Sequence, residues 1–112
     1  MIKCILRAIV LVACSVPAIS YAASMGPGVP TRLTPEGNVL HVHMDGAPKS
    51  GLPSCARRVY IDLTTEAGRA HASVAIAAFM GGKKVTFILA DNIGHCNWGS
   101  SVPHEKHFYV DN

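Results

Sequence analysis

Histidine carries most of the chemical options in this chain. Six occur among its 112 residues: His41, His43, His71, His95, His104 and His107. His41 and His43 sit two apart in an alternating stretch, so a strand there turns both imidazoles to one face. His107 shares a face with Tyr109 and Asp111 in the last alternating stretch. If those two strands were neighbours, His41, His43 and His107, with Asp111, would offer donors suited to zinc or copper. The competing reading is a solvated sheet face, because neither H-x-H nor H-x-x-H alone specifies a metal.

Other chemistries find less support. Serine hydrolysis needs a nucleophile, a base and an orienting acid, and no nucleophile elbow accompanies the serines. Asp62 and Glu66 could form a carboxylate pair, but an outward strand residue and a first-turn helix acid explain each separately. Gly81-Gly82 follows a helical stretch, the wrong end for a phosphate. Enzymatic activity and a bound cofactor are therefore not expected. Trp98 stands two residues after Cys96 in a glycine-flanked loop. It could stack on a sugar as a ligand-binding residue, or it could cover a disulfide, the more usual place for a residue that is mostly buried.

The positions of these residues depend on what remains after processing. Residues 1–22 read as a secretory signal. Lys3 and Arg7 precede an apolar run from Ala8 to Ile19, and Ser20-Tyr21-Ala22 sets small residues at the minus-three and minus-one positions. No membrane span is expected from so short a segment. The expected product is exported, periplasmic or extracellular, and starts at Ala23. A rival processing exists in Leu11-Val12-Ala13-Cys14, which has the form of a lipobox with Cys14 as a lipid anchor. The apolar sequence after Cys14 is unlike the polar tether such an anchor needs.

Removing the signal takes Lys3 and Arg7 from the formal charge of +3. Eight basic and seven acidic side chains remain, a net +1. That leaves no strong field for nucleic acid or anionic lipid. Of four cysteines, Cys55 and Cys96 remain. In an exported chain they are expected to form a disulfide.

The elements that must position these residues are legible by period. Val59, Ile61 and Leu63 alternate with Arg58, Tyr60 and Asp62, and Val85, Phe87 and Leu89 repeat the pattern. Between them lies a helix over Glu66–Met80, with Thr64 or Thr65 as N-cap and Gly81-Gly82 as stop. Ala67, Ala70, Val74, Ala77 and Ala78 form one apolar stripe, with Ile76, Phe79 and Met80 a bulkier second one. A helix apolar on most sides is buried on more than one side. Either its alanines fit a concave sheet, or part of it is covered by a second subunit in a homo-oligomer.

Before this unit, residues 23–30 read as an extended lead-in, residues 31–34 as a short strand, Pro35-Glu36-Gly37-Asn38 as a turn, and Val39–Met44 as a strand. Asp45–Ser54 and Ala90–Ser101 read as loops, and Lys106–Val110 as the last strand. The predicted fold is α+β: a small five-stranded OB-like Greek-key barrel or curled sheet, with one helix between strands 3 and 4. Residues 23–38 supply the lead-in and first strand, and residues 39–112 the core.

A loop ending in Cys55, the helix start Thr65-Glu66-Ala67-Gly68, the stop Gly82-Lys83-Lys84-Val85 and a second cysteine, Cys96, together resemble a broad group of small exported bacterial proteins. Their pattern is one disulfide and a T-x-A-G helix start. The resemblance covers about residues 39–110. The element order also looks like the OB-type B subunits of cholera-like toxins, which assemble as rings and bind glycans. That likeness is one of topology and transfers no residue. The expected function is a secreted or periplasmic, non-enzymatic binding or assembly domain for a glycan or protein. The alternative is a histidine-based metal-binding periplasmic protein.

Overall fold

Alternating residues in the middle of the chain build the centre of one sheet. The structure, a computed structural model, describes residues 23–89, 93–104 and 106–111. The expected signal segment and Cys14 lie outside the described residues. Strand β3 (Val39–His43) pairs antiparallel with β2 (Arg32–Glu36) on one side and with β5 (Arg58–Asp62) on the other. Strand β7 (Ser101–Pro103) adds to β5 in parallel. In the second sheet, β6 (Lys84–Leu89) lies antiparallel between β1 (Ala23–Gly28) and β8 (His107–Asp111), and β4 (Lys49–Ser50) flanks β1. Helix α1 (Glu66–Gly81) connects β5 to β6. The fold is thus α+β, with one helix and two four-stranded sheets ordered β2-β3-β5-β7 and β4-β1-β6-β8 among the described residues.

Among the described residues eight strands stand where five were expected. The extended lead-in is in fact β1, an interior strand of its sheet. Its Ala23 and Met25 are buried and pair with Leu89 and Phe87. The glycines and prolines that suggested a loop act only later, where the register shifts between Met25 and Gly28. The first turn is tighter than expected: Pro35 and Glu36 stay in β2, and only Gly37 and Asn38 turn. Strand β4 falls in the middle of the first long loop and β7 at the end of the second, and both are too short to show a period.

The core lies on the inward faces of the strands. Met25, Leu40, Val42, Val59, Ile61, Val85, Phe87, Leu89 and Val102 are all buried. All but Val102 are one phase of an alternating stretch, and burying such a side chain fully contributes roughly 1.5–3 kcal/mol. Helix α1 touches β2 and β5 of one sheet and β6 of the other. Thr65 caps it, its side-chain oxygen accepting from the Gly68 N–H at 2.9 Å. Gly82 ends it at φ 65°, a left-handed conformation open to glycine.

The buried face of α1 differs from both expected stripes. It consists of Gly68, Ala72, Ala75 and Ala78, with His71 and Phe79 half-buried beside it. Ala67, Ala70 and Ala77 face outward, and Val74, Ile76 and Met80 are 47%, 44% and 78% exposed. Small size decides the face, because it lets the helix backbone approach the sheet closely. At Gly68 the approach is closest: a Cβ there would run into the Asp62 carbonyl oxygen. This gives the T-x-A-G helix start a physical reason.

Gly68→Ala is therefore expected to destabilise the fold, although alanine is the better helix former by about 1 kcal/mol. Overpacking against backbone costs roughly 1–3 kcal/mol. Urea denaturation of the variant checks the sign, and a stabilised variant would contradict the close approach.

Candidate functional site

Strand alternation that sends Leu40, Val42, Val59 and Ile61 inward sends the intervening polar residues outward. The register sets Thr34 beside His41, His41 beside Tyr60, and Tyr60 beside Pro103. The outer face of the β2-β3-β5-β7 sheet thus carries Thr34, Glu36, His41, His43, Arg58, Tyr60 and Ser101. Thr34 Oγ1 and His43 Nε2 are hydrogen-bonded at 3.0 Å.

A tight turn lies over this face. Asn97 N–H donates to the Ser101 carbonyl at 3.0 Å, and Ser101 N–H to the Trp98 carbonyl at 3.2 Å. Gly99 takes φ 66° within the turn. Four further ties hold it. Cys96 is bonded to Cys55. The Arg57 and Arg58 amides donate to the Ser100 carbonyl at 2.8 and 3.1 Å. Arg58 Nη2 donates to the Trp98 carbonyl at 3.2 Å. Asn97 Nδ2 also donates to the Tyr60 hydroxyl at 3.2 Å.

These ties place Trp98 edge-on to two rings beneath it. Its ring centre is 6.0 Å from His41 and 6.2 Å from Tyr60, and those two are 6.3 Å apart. Edge-to-face pairs of this kind contribute about 0.5–1.5 kcal/mol each beyond area burial. Trp98 nevertheless stays 47% exposed. It does not take the buried place over the disulfide that its residue type suggested.

Beneath Trp98 runs a polar chain that sequence reasoning missed. His41 Nδ1 and Ser101 Oγ are 2.8 Å apart, and both residues are fully buried. His41 Nε2 lies 3.3 Å from Glu36 Oε2. That contact is close but poorly aligned, so Nε2 has no true hydrogen-bond partner among the described residues. Carboxylate, imidazole and hydroxyl therefore line up as they do in an acyl-transfer triad. The buried Ser101 hydroxyl offers no surface to a substrate. The chain instead joins β2, β3 and β7 across the sheet. Burial, and then the Arg58 guanidinium, lower the His41 pKa below its ordinary value, outweighing the pull of Glu36. Burial and Arg58 also lower His43.

The proposed metal ligands do not converge. His41 and His43 share the outer face of β3, but His107 lies on β8 in the other sheet. The two strands are not neighbours, which was the condition for a shared site. Among the described residues no three His, Cys, Asp or Glu side chains group as a metal site. No helix among them is long and apolar enough to cross a membrane.

Among the described residues two clefts lie elsewhere, and neither is lined by Trp98, Tyr60 or His41. One, of about 400 Å³, lies between Asp45, Lys49 and Arg57. The other, of about 280 Å³, lies at the helix start between Asp62, Thr65, His71, His104 and Lys106. In it the His104 ring stands 4.5 Å from His71 and 5.2 Å from Phe108. Its Nε2 is buried without a partner among the described residues. Desolvation first, and His71 next, push its pKa from 6.5 down to about 4.

A neutral His104 favours the fold. Its contribution is complete above pH 6.5 and is lost as pH falls toward about 4. The urea midpoint of the wild type is expected to fall between pH 6.5 and 5, and that of His104→Phe to fall less steeply. Equal slopes would contradict the assignment.

Comparison with protein-family models, with curated proteins and with solved structures returns no match.

Proposed function

We propose that this chain is an exported, non-enzymatic binding module of OB-like architecture that takes a glycan on the face formed by β3, β5 and the Trp98 turn. The observation that carries the reading is the half-exposed Trp98, its indole held over Tyr60 and His41 by a covalent bond and several hydrogen bonds. A sugar ring has an apolar face of C–H groups and a rim of hydroxyls. An exposed indole matches the first. Thr34, His43, Arg58, Tyr60 and Asn97 supply hydrogen-bonding groups for the second. A few placed polar groups around an aromatic platform are the usual composition of a small-ligand site.

The ladder order supports the OB-like reading. Only Val29–Thr31 separate β1 from β2, and residues 104–106 separate β7 from β8. Taking each pair as one bent strand that changes sheets leaves five long strands. The first pairs with the second, the second with the third, the third in parallel with the fifth, the fifth with the fourth, and the fourth with the first. OB-folds bind oligosaccharides and oligonucleotides on the face of their second and third strands, here β3 and β5. This analogy concerns the fold alone. The near-neutral charge of the chain after the signal favours a glycan over a nucleic acid. Export is supported by the signal-like first 22 residues and by the disulfide.

A glycan array followed by fluorescence titration tests the reading, since Trp98 is the sole tryptophan. Sugar binding is expected to shift its emission. Trp98→Ala is expected to weaken binding at least about tenfold, some 1.4 kcal/mol, and, having lost the two ring pairs, to melt a few degrees lower while remaining folded by circular dichroism. An array without binders, or equal binding by a folded Trp98→Ala variant, would overturn the reading.

A further inference from the structure

The two sheets have four edge strands, and three of them are blunted as natural edges usually are. Strand β4 has two residues and β7 three. Strand β2 carries Pro35, which has no N–H to donate. Strand β8 differs. It has five residues and no proline, and among the described residues its outer side pairs with nothing. Its Tyr109 and Val110 are 48% and 39% exposed.

Residues 107–111 read His-Phe-Tyr-Val-Asp, and this order is self-complementary about Tyr109. Laid antiparallel on a copy of itself, the strand sets His107 opposite Asp111 at both ends, Phe108 opposite Val110, and Tyr109 opposite Tyr109. The two faces agree with the sheet. Phe108 and Val110 pair with buried Phe87 and Val85, so they belong to the core side. A second copy would continue that apolar side and cover Val110. On the other side, an imidazole donor meets a carboxylate acceptor in each end row, a favourable cross-strand pair.

We propose that two copies of this chain pair antiparallel along β8, joining their β4-β1-β6-β8 sheets into one eight-stranded sheet about a two-fold axis. Such an isologous contact closes at two subunits. It is independent of the glycan reading, because β8 lies in the other sheet from β3 and β5.

Sedimentation equilibrium of the exported protein over a wide concentration range tests this. A monomer–dimer equilibrium is expected. His107→Glu sets two carboxylates opposite each other, and Asp111→Lys sets a cation opposite His107. Each is expected to weaken the dimer about tenfold, because symmetry applies the change twice. The double variant H107E/D111K restores opposite charges in both rows and is expected to recover dimerisation. Circular dichroism confirms that each variant is folded. The proposal is overturned by a wild type that stays monomeric throughout, by a closed ring of more than two subunits, by single variants that dimerise like the wild type, or by a folded double variant that stays monomeric.

Discussion

The covalent bond between Cys55 and Cys96 is the constraint on which the rest of the chain depends. It closes a loop of 41 residue steps that contains β5, the helix and β6. A closure of that length contributes typically about 2–4 kcal/mol, a large share of the roughly 5–15 kcal/mol that stabilises a typical domain. It also draws the segment after Cys96 against the start of β5. There the Arg57 and Arg58 amides take up the Ser100 carbonyl, and β7 can then pair in parallel with β5. The inward turn of Val102 into the core and the outward display of Trp98 follow from that placement.

The helix obeys a second constraint, close approach. A helix that buries only Gly68, Ala72, Ala75 and Ala78 gains little apolar area from each residue. What it gains is proximity, which lets it span both sheets and touch β2, β5 and β6. The bulkier Val74, Ile76 and Met80 are left outside. Smallness within the contact thus outweighs hydrophobic bulk in choosing the face.

This explains which parts of the molecule could be read from residues alone. Long alternations in Val39–His43, Arg58–Asp62 and Lys84–Leu89 are strands because five or six residues suffice to show a period of two. The helix was bounded well because Thr65 and Gly82 act locally as caps. Strand β1 was hidden because its inward residues, Ala23 and Met25, are only two and stand before a run of glycine and proline. The two expected stripes missed the buried face because both were drawn by apolar residue type, and type alone does not mark which of the helix's small residues meet the sheet. For the site, the cysteine pair and Trp98 were visible by type. Their relation to His41 and Tyr60 depends on the register of β3 with β5, and Ser101 depends on a parallel pairing with Arg58, 43 positions away in sequence. No local signal encodes either. His107 failed as a partner of His41 for the same reason: sheet membership is not written in the spacing of histidines.

An exposed aromatic ring is useful for recognition only if it does not have to be ordered on binding. The disulfide, the Arg58 bond to the Trp98 carbonyl and the two edge-on rings together supply that order in advance. The most direct measurement combines iodide quenching of tryptophan fluorescence with the heteronuclear NOE of the Trp98 indole N–H in the oxidised protein. An indole that is open to iodide, yet as rigid as the surrounding strands, is the expected result. An indole shielded from iodide, or one that moves freely on the nanosecond scale, would contradict a preorganised platform at Trp98.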